Sequence, residues 1–455
     1  MDTLKTFIKN DSVFTTFLDP RNALTCHPPS LSILLLLFPL FVQCSLLHPQ
    51  LATSRTSRYI RLVLVPLNVY CAMKIGVDYC FTPLERRGLW NLMLGCMALH
   101  LAMKGLEWGL LGRSEMIKYR TRPEFREKDV DQAGKNHESS KATISFTESD
   151  SEKLSLKELY VWTAEQFASP RGIQYGWGYK SPPNTRSASD VFKRLMKVHL
   201  VHLAAVAYSV HTRDSGSAVE ALRTLGLAGF PGNTIVAEAL SSLAFGMYLI
   251  SLTDLAYSYY TLFGHFIINM APFLPDWYRV YFNPKLYVPL YDNPHLATSL
   301  AQLWSTGWHQ LFRRNFVVCG ALPARKIVRM LGLGNNAQKI ASVIGCFIVS
   351  GVMHELAIHF IARAPHPDPH FLFDTKRFPG SLFYFLMQPI GILLEPMVLK
   401  YVPMPWMWVY AFTLLCATPF RYQYFGQNRL LDKAYPPISE WNLISVLVPG
   451  GIVRF

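Results

Sequence analysis

The stretch Ile340-Ala341-Ser342-Val343-Ile344-Gly345-Cys346-Phe347-Ile348-Val349-Ser350-Gly351-Val352-Met353-His354-Glu355-Leu356-Ala357-Ile358-His359-Phe360-Ile361-Ala362 carries one formal charge, on Glu355. A spanning helix needs ~20 mainly apolar residues, so this run reads as a membrane helix. A charged side chain at that depth is costly and is retained for a reason, which makes the His354-Glu355 pair a functional candidate.

The rest of the chain repeats the pattern. No Asp, Glu, Lys or Arg occurs in 22–54, 255–275 or 401–420, and shorter or once-interrupted runs lie near 60–77, 88–112, 195–212, 235–253 and 379–399. Of the 455 residues, 51% are hydrophobic and 16% charged, whereas soluble domains carry roughly a quarter charged residues. The sequence therefore predicts an all-α polytopic membrane protein with about eight or nine transmembrane helices. These form a single domain over 1–455, with no room for a large soluble unit.

The net charge of +14 fits basic loops that orient the chain and meet anionic headgroups, so the lipid bilayer is the expected partner. No groove-reading motif or basic–aromatic strand pattern occurs, and no nucleic-acid partner is expected. The eight cysteines are scattered and none forms Cys-x-x-Cys; neither a zinc site nor a disulfide framework is expected. The first apolar run begins near Leu31, behind Lys5, Lys9 and Arg21, which reads as an uncleaved first span rather than a removable leader.

Two polar regions interrupt the spans. The segment 113–158 mixes charges with Ser, Thr, Gly and Asn and reads as a solvated loop. It leads into Arg171-Gly172-Ile173-Gln174-Tyr175-Gly176-Trp177, where alternating aromatics and glycines suggest an ordered, interfacial piece. The region 276–339 holds Arg279, Lys285, Arg313, Arg314, Arg325, Lys326 and Arg329 before Lys339, against Asp276 and Asp292. That excess places it on the cytoplasmic side. Within it Asn293-Pro294 signals a helix start, and Leu300, Leu303, Trp304, Gly307, Trp308, Leu311 and Phe312 recur at helical spacing. The expectation is one interfacial helix with its tryptophans turned toward the bilayer and Ser305, His309 and Arg313 along a polar edge.

Several alternative chemistries fail on spacing. His354 and His359 are five residues apart, about 140° around a helix, whereas the zinc-binding His-Glu-x-x-His keeps its histidines on one face. No metal is expected. His370-x-x-x-Asp374 matches a short acyltransferase pattern, but it lies in a Pro-rich connection and such patterns arise readily by chance. No Gly-x-Ser-x-Gly elbow or phosphate-cradling loop exists. Glu107, Asp254 and Glu395 are spread over distant spans and read as interhelical hydrogen-bonding groups rather than an ion path.

Three elements, Arg171 to Trp177, Trp304 to Arg313 and Ser350 to Glu355, resemble the Arg-Gly-Ile-Gly-Trp, Phe-Trp-x-x-x-Trp-His and Ser-Gly-x-x-His-Glu elements of wax-synthase-like membrane-bound O-acyltransferases, above all the fungal terpenoid and meroterpenoid O-acetyltransferase branch. Order and spacing agree over about 160–420. The departures are Gln174-Tyr175 and Leu303. The resemblance implies transfer of an acetyl group from acetyl-CoA, as co-substrate and without a cofactor, to a hydrophobic alcohol. The alternatives are long-chain acyl transfer to a wax alcohol, sterol or diacylglycerol, or a multi-span carrier without chemistry. It further implies His354 as base, His309 at the thioester oxygen, Glu355 in support, Trp304 and Trp308 as positioning residues, and Arg313, Arg314, Arg325, Lys326 and Arg329 as candidates for the CoA phosphates. The implied setting is a multi-pass protein of the endoplasmic reticulum or another endomembrane.

Overall fold

The computed structural model describes residues 11, 13, 26–84, 86–110, 154–169, 171–227, 229–270, 273–274, 282–361 and 378–448. Among these the fold is helical and no extended strand forms; an isolated parallel bridge joins His27 to Tyr79. The architecture rests on α1 (Ile33–Ser45), α2 (Arg55–Asp78), α3 (Gly88–Leu110), α4 (Leu156–Ala168), α5 (Ala188–Asp214), α6 (Asn233–Met270), α7 (Leu322–Met330), α8 (Asn335–Ile361), α9 (Gly380–Val398) and α10 (Pro405–Arg421). The expected loop 113–158 lies almost entirely outside the described residues, as do His370 and Asp374.

Among the described residues five helices (α2, α3, α6, α8 and α9) are long and apolar enough to cross a bilayer, fewer than hydropathy alone suggested. The difference has local causes. Helix α1 is 13 residues long, and α10 is 17 residues long with Pro419 near its end. Helix α5 carries Asp190, Lys193, Arg194 and Lys197 in its first turns. The apolar runs 235–253 and 255–275 do not form separate elements. They fuse into the 38-residue α6, whose interior Asp254 is buried and paired with Arg194 of α5 at 2.8 Å. At 1.5 Å per residue α6 is about 57 Å long, so it extends well beyond a ~30 Å hydrocarbon core.

Packing is by pairs: α5 on α6, α2 on α3, and α8 on α9 and α3. One core gathers Phe245 and Tyr248 of α6, Phe385 of α9, Phe420 of α10, and Tyr424 and Tyr435 beyond it. A second joins α1, α2 and α3 to Tyr175 and Trp177. Small residues set the closest crossings. A Cβ on Gly320 would come within 2.2 Å of the Gly345 carbonyl oxygen, and one on Gly345 within 2.5 Å of that of Gly320. Gly351 likewise lets Leu382 and Phe385 of α9 lie directly on α8.

The acidic residues singled out above all have partners. Glu107 accepts from Lys104 at 3.1 Å and from Arg314 at 2.5 Å in a buried cluster. Glu395 accepts the backbone N–H of Leu300 at 2.6 Å.

The cysteines require a correction. Cys26 and Cys80, 54 residues apart, form a disulfide. Linear spacing hides this because the pairing depends on α1 and α2 returning the chain to its starting side. There the His27 N–H donates to the Asp78 carbonyl and the Cys80 N–H to that of His27.

Candidate active site

The three sequence elements converge. In the first, Gly172 adopts φ +56° and lies against the Trp177 ring, which a Cβ would approach to 2.5 Å; only glycine takes both the conformation and the contact without strain. Trp177 Nε1 donates to Gln166 and Tyr175 OH to Glu165, so the segment is fastened to α4. Buried Arg171 reaches the other way, donating to the carbonyls of Val288 (2.7 Å) and Pro289 (3.1 Å) and to Tyr257 OH (3.2 Å) on α6. This carries the first element to the threshold of the second.

The second element departs from expectation. Asn293 adopts a left-handed conformation without capping, and Pro294–Leu296 makes a single 3-10 turn. Helix begins only after Ser299, whose hydroxyl accepts from Gln302 N–H. It widens into a π-turn over Leu303–Gly307 and ends at Trp308, whose backbone is extended. Residues 308–312 are therefore non-helical. The helical periodicity of 300–312 yields to tertiary attachment: Glu395 holds the start at Leu300, and Gln388 Oε1 accepts Trp304 Nε1 at 3.0 Å. The tryptophans do not turn outward. Trp304 packs on Phe347, Tyr384 and Phe385, and Trp308 on Trp304 and Tyr291. Non-helical backbone packed inside protein in this way is tolerated in membrane proteins, and π-turns frequently mark functional sites.

His309 follows this break. Its ring is enclosed by Tyr291, Trp308 and Phe312 at centroid distances of 5.9, 5.8 and 6.0 Å. Burial, then His354 and then Arg171, disfavour its charged form and pull its pKa down to about 3. The imidazole is neutral at physiological pH. Its Nδ1 is a buried nitrogen with no hydrogen-bond partner among the described residues.

The third element is helical as expected. His354 Nδ1 lies 2.8 Å from the Ser350 carbonyl one turn earlier. A carbonyl only accepts, so Nδ1 carries the proton and the lone pair is left on Nε2. Phe385 packs on the ring at 4.4 Å and Phe420 at 5.9 Å. An aromatic path thus runs from His309 through Trp308, Trp304 and Phe385 to His354. Glu355 points elsewhere, accepting from Gln423 Nε2 and from Leu382 N–H at 3.4 Å. Gln423 Oε1 in turn accepts both the N–H and the hydroxyl of Ser381. The carboxylate ties α8 to the first turn of α9 and to the π-turn following α10.

The basic candidates separate. Arg313 is exposed, donates to Ser305 O and Gln310 Oε1 at 3.3 Å, and shares the Tyr179 ring with Arg171. Arg314 is engaged by Glu107 inside the protein through its Nε. Arg325, Lys326 and Arg329 project from α7, exposed and away from both histidines in sequence and element. Sequence reasoning missed Gln388, Gln423 and Tyr291 as residues holding the site. Gln388 had a readable signal, since an amide inside the apolar run 379–399 needs a partner at depth.

Residues 287–374, a segment that includes two of the three elements, match the model of the membrane bound O-acyl transferase family. An acyl-CoA–sterol O-acyltransferase of Arabidopsis thaliana is 35% identical over 86 residues, 18% of this chain and 22% of the plant protein. An acetyltransferase of Aspergillus terreus is 27% identical over 177 residues, 35% of this chain and 54% of that protein. An acetyltransferase of Rhodocybe pseudopiperita is 23% identical over 256 residues, 54% of this chain and 59% of that protein. The chain thus spans about a fifth of the plant relative's length and rather more than half of each of these fungal relatives. No solved structure matches it.

Proposed function

We propose that this chain is an acyl-CoA-dependent O-acyltransferase that moves an acetyl group from acetyl-CoA to a hydroxyl of a hydrophobic terpenoid or meroterpenoid alcohol in secondary-metabolite biosynthesis, within an endomembrane. The observation that carries the reading is the Nδ1 contact of His354 with Ser350 O, which leaves Nε2 as the base. A neutral alcohol attacks a thioester poorly, so its proton must leave as the C–O bond forms. Nε2 of His354 takes that proton, the carbonyl oxygen becomes an oxyanion, and collapse breaks the C–S bond. The imidazolium then returns its proton to the departing CoA thiolate. His309, neutral, keeps one N–H to donate to the oxyanion, a contribution of about 3 kcal/mol in comparable sites. Glu355 acts as a positioning residue through its hold on α9. Trp304 and Trp308 fix the loop that presents His309, and Arg313, exposed beside Tyr179, is the cation offered to the CoA phosphates.

The proposed membrane arrangement has eight spans, the five long helices together with α1, α5 and α10. It is supported by two independent features. Cys26 and Cys80 bracket the α1–α2 hairpin and so share one face, the oxidising lumenal one by the chemistry of disulfides. From Cys80 three spans (α3, α5 and α6) lead to the basic region after 282, which therefore faces the cytosol, in agreement with its Lys/Arg excess. Cytosolic CoA approaches from that side. No metal takes part, and a chelator should leave turnover unchanged.

The experiment is a competition between donors. Purified enzyme given acetyl- and palmitoyl-CoA, with a hydroxylated terpenoid and hexadecanol, should yield mainly the terpenoid acetate. Palmityl palmitate as the main product would favour the second reading, a wax synthase, to which plant relatives named as long-chain-alcohol O-fatty-acyltransferases point.

A further inference from the structure

We infer that α7 is a docking element for anionic phospholipid headgroups of the cytoplasmic leaflet, separate from the site that binds CoA. Its residues sort by angle. On a helix of 3.6 residues per turn, Arg325, Lys326 and Arg329 fall on one face, while Ile327, Met330 and Leu331 fall on the opposite one. The basic side chains are exposed and no acid occurs between Arg313 and Lys339. The apolar face is uncovered as well: Ile327 is 58%, Met330 76% and Leu331 69% exposed. Leu322 and Leu333, at either end, are also exposed. A soluble surface does not leave such a helix unpaired, whereas a headgroup boundary takes the apolar face into the acyl region and pairs the cations with phosphates.

Position supports the same occupant. Helix α7 joins α8, a membrane span, through the turn at Gly332, whose φ of +74° reverses the chain direct from one helix into the next. Its other end continues from the π-turn Val317–Ala321, which Gly320 and Gly345 hold against α8. The helix is therefore fixed at the edge of the bilayer, where the cytoplasmic leaflet supplies a negative surface. The inference does not depend on acyl transfer.

Phosphate is common to a headgroup and to CoA, and the test separates them. Full-length protein is placed in nanodiscs of phosphatidylcholine, of phosphatidylcholine with phosphatidylserine, and of phosphatidylcholine with free CoA added. Backbone hydrogen–deuterium exchange is followed over 322–333. Exchange should slow by about tenfold or more in the phosphatidylserine discs, and that difference should vanish in the R325E/K326E/R329E variant. Slowing by CoA in phosphatidylcholine discs to an equal or greater degree would assign the cations to CoA and overturn the proposal, as would equal exchange in all three. The wild-type comparison stands even if the variant does not fold.

Discussion

Arg314 and Glu107 show what single side chains do for the site. The carboxylate is fully buried between Lys104 and Arg314, and Lys104 Nζ in turn lies 5.7 Å from the Trp108 centroid and 4.2 Å from that of Trp177. Next to it Asn315 Nδ2 donates to the His100 carbonyl at 3.3 Å. These contacts seat residues 312–316, and hence the loop bearing His309, on α3. Arg314→Ala leaves Glu107 its Lys104 partner but removes a charge-assisted hydrogen bond from the buried carboxylate, so it should lose about 1.5–3 kcal/mol of stability, read as a fall in thermal midpoint in detergent. Glu165 gives a pH signature. Its carboxyl is pushed up to about 7 by burial, with Tyr175 OH opposing. Being raised above its unfolded value near 4.5, it contributes stability that is complete below that value and is lost as pH rises through 7. Thermal unfolding across pH 4 to 8 should show this decline in the wild type and a flatter profile in Glu165→Gln.

The segment 300–312 decides how the site is built at the level of elements. Its apolar spacing is helical, and a helix forms where no outside contact competes. Beyond Leu303 the bond from Trp304 to Gln388 and the packing of Trp304 and Trp308 on α9 and α10 outweigh that local preference. Trp304→Phe removes the indole donor and leaves the buried Gln388 oxygen unsatisfied, a cost of about 1–3 kcal/mol. The variant should unfold earlier and show reduced turnover as His309 loses its support. His354 was legible because an imidazole beside a carboxylate stands out in an apolar run, and His309 because it follows paired tryptophans in the basic region. The conformation around His309 was not, since it depends on Gln388 and Glu395, which are 84 and 95 residues away from their partners. The continuous α6 escaped for a related reason: Asp254 looked like a boundary until Arg194 neutralised it. Glu355 engages Gln423 and the Leu382 N–H, since successive helical residues point about 100° apart and its side chain leaves the face of His354.

At the scale of the whole molecule, the proposed eight-span arrangement brings disulfide, basic loop and span parity into one orientation. In sealed microsomes, a membrane-impermeant maleimide should fail to reach Cys26 and Cys80 from outside, and should modify them only after permeabilisation and reduction. Labelling from the cytosolic face would reverse the topology and move the site opening with it. The proposed orientation matters because it would let a cytosolic thioester and a membrane-dissolved alcohol meet between His309 and His354. That meeting is the central claim. Its most direct test is thiol release from acetyl-CoA with a hydroxylated terpenoid, measured for purified wild type, His354→Ala, His309→Ala and the double variant. The account predicts a loss of 10² or more for His354→Ala, with the double variant little worse than the more damaged single. Near-normal acetyl transfer by His354→Ala, in protein that unfolds at the wild-type temperature, would contradict it.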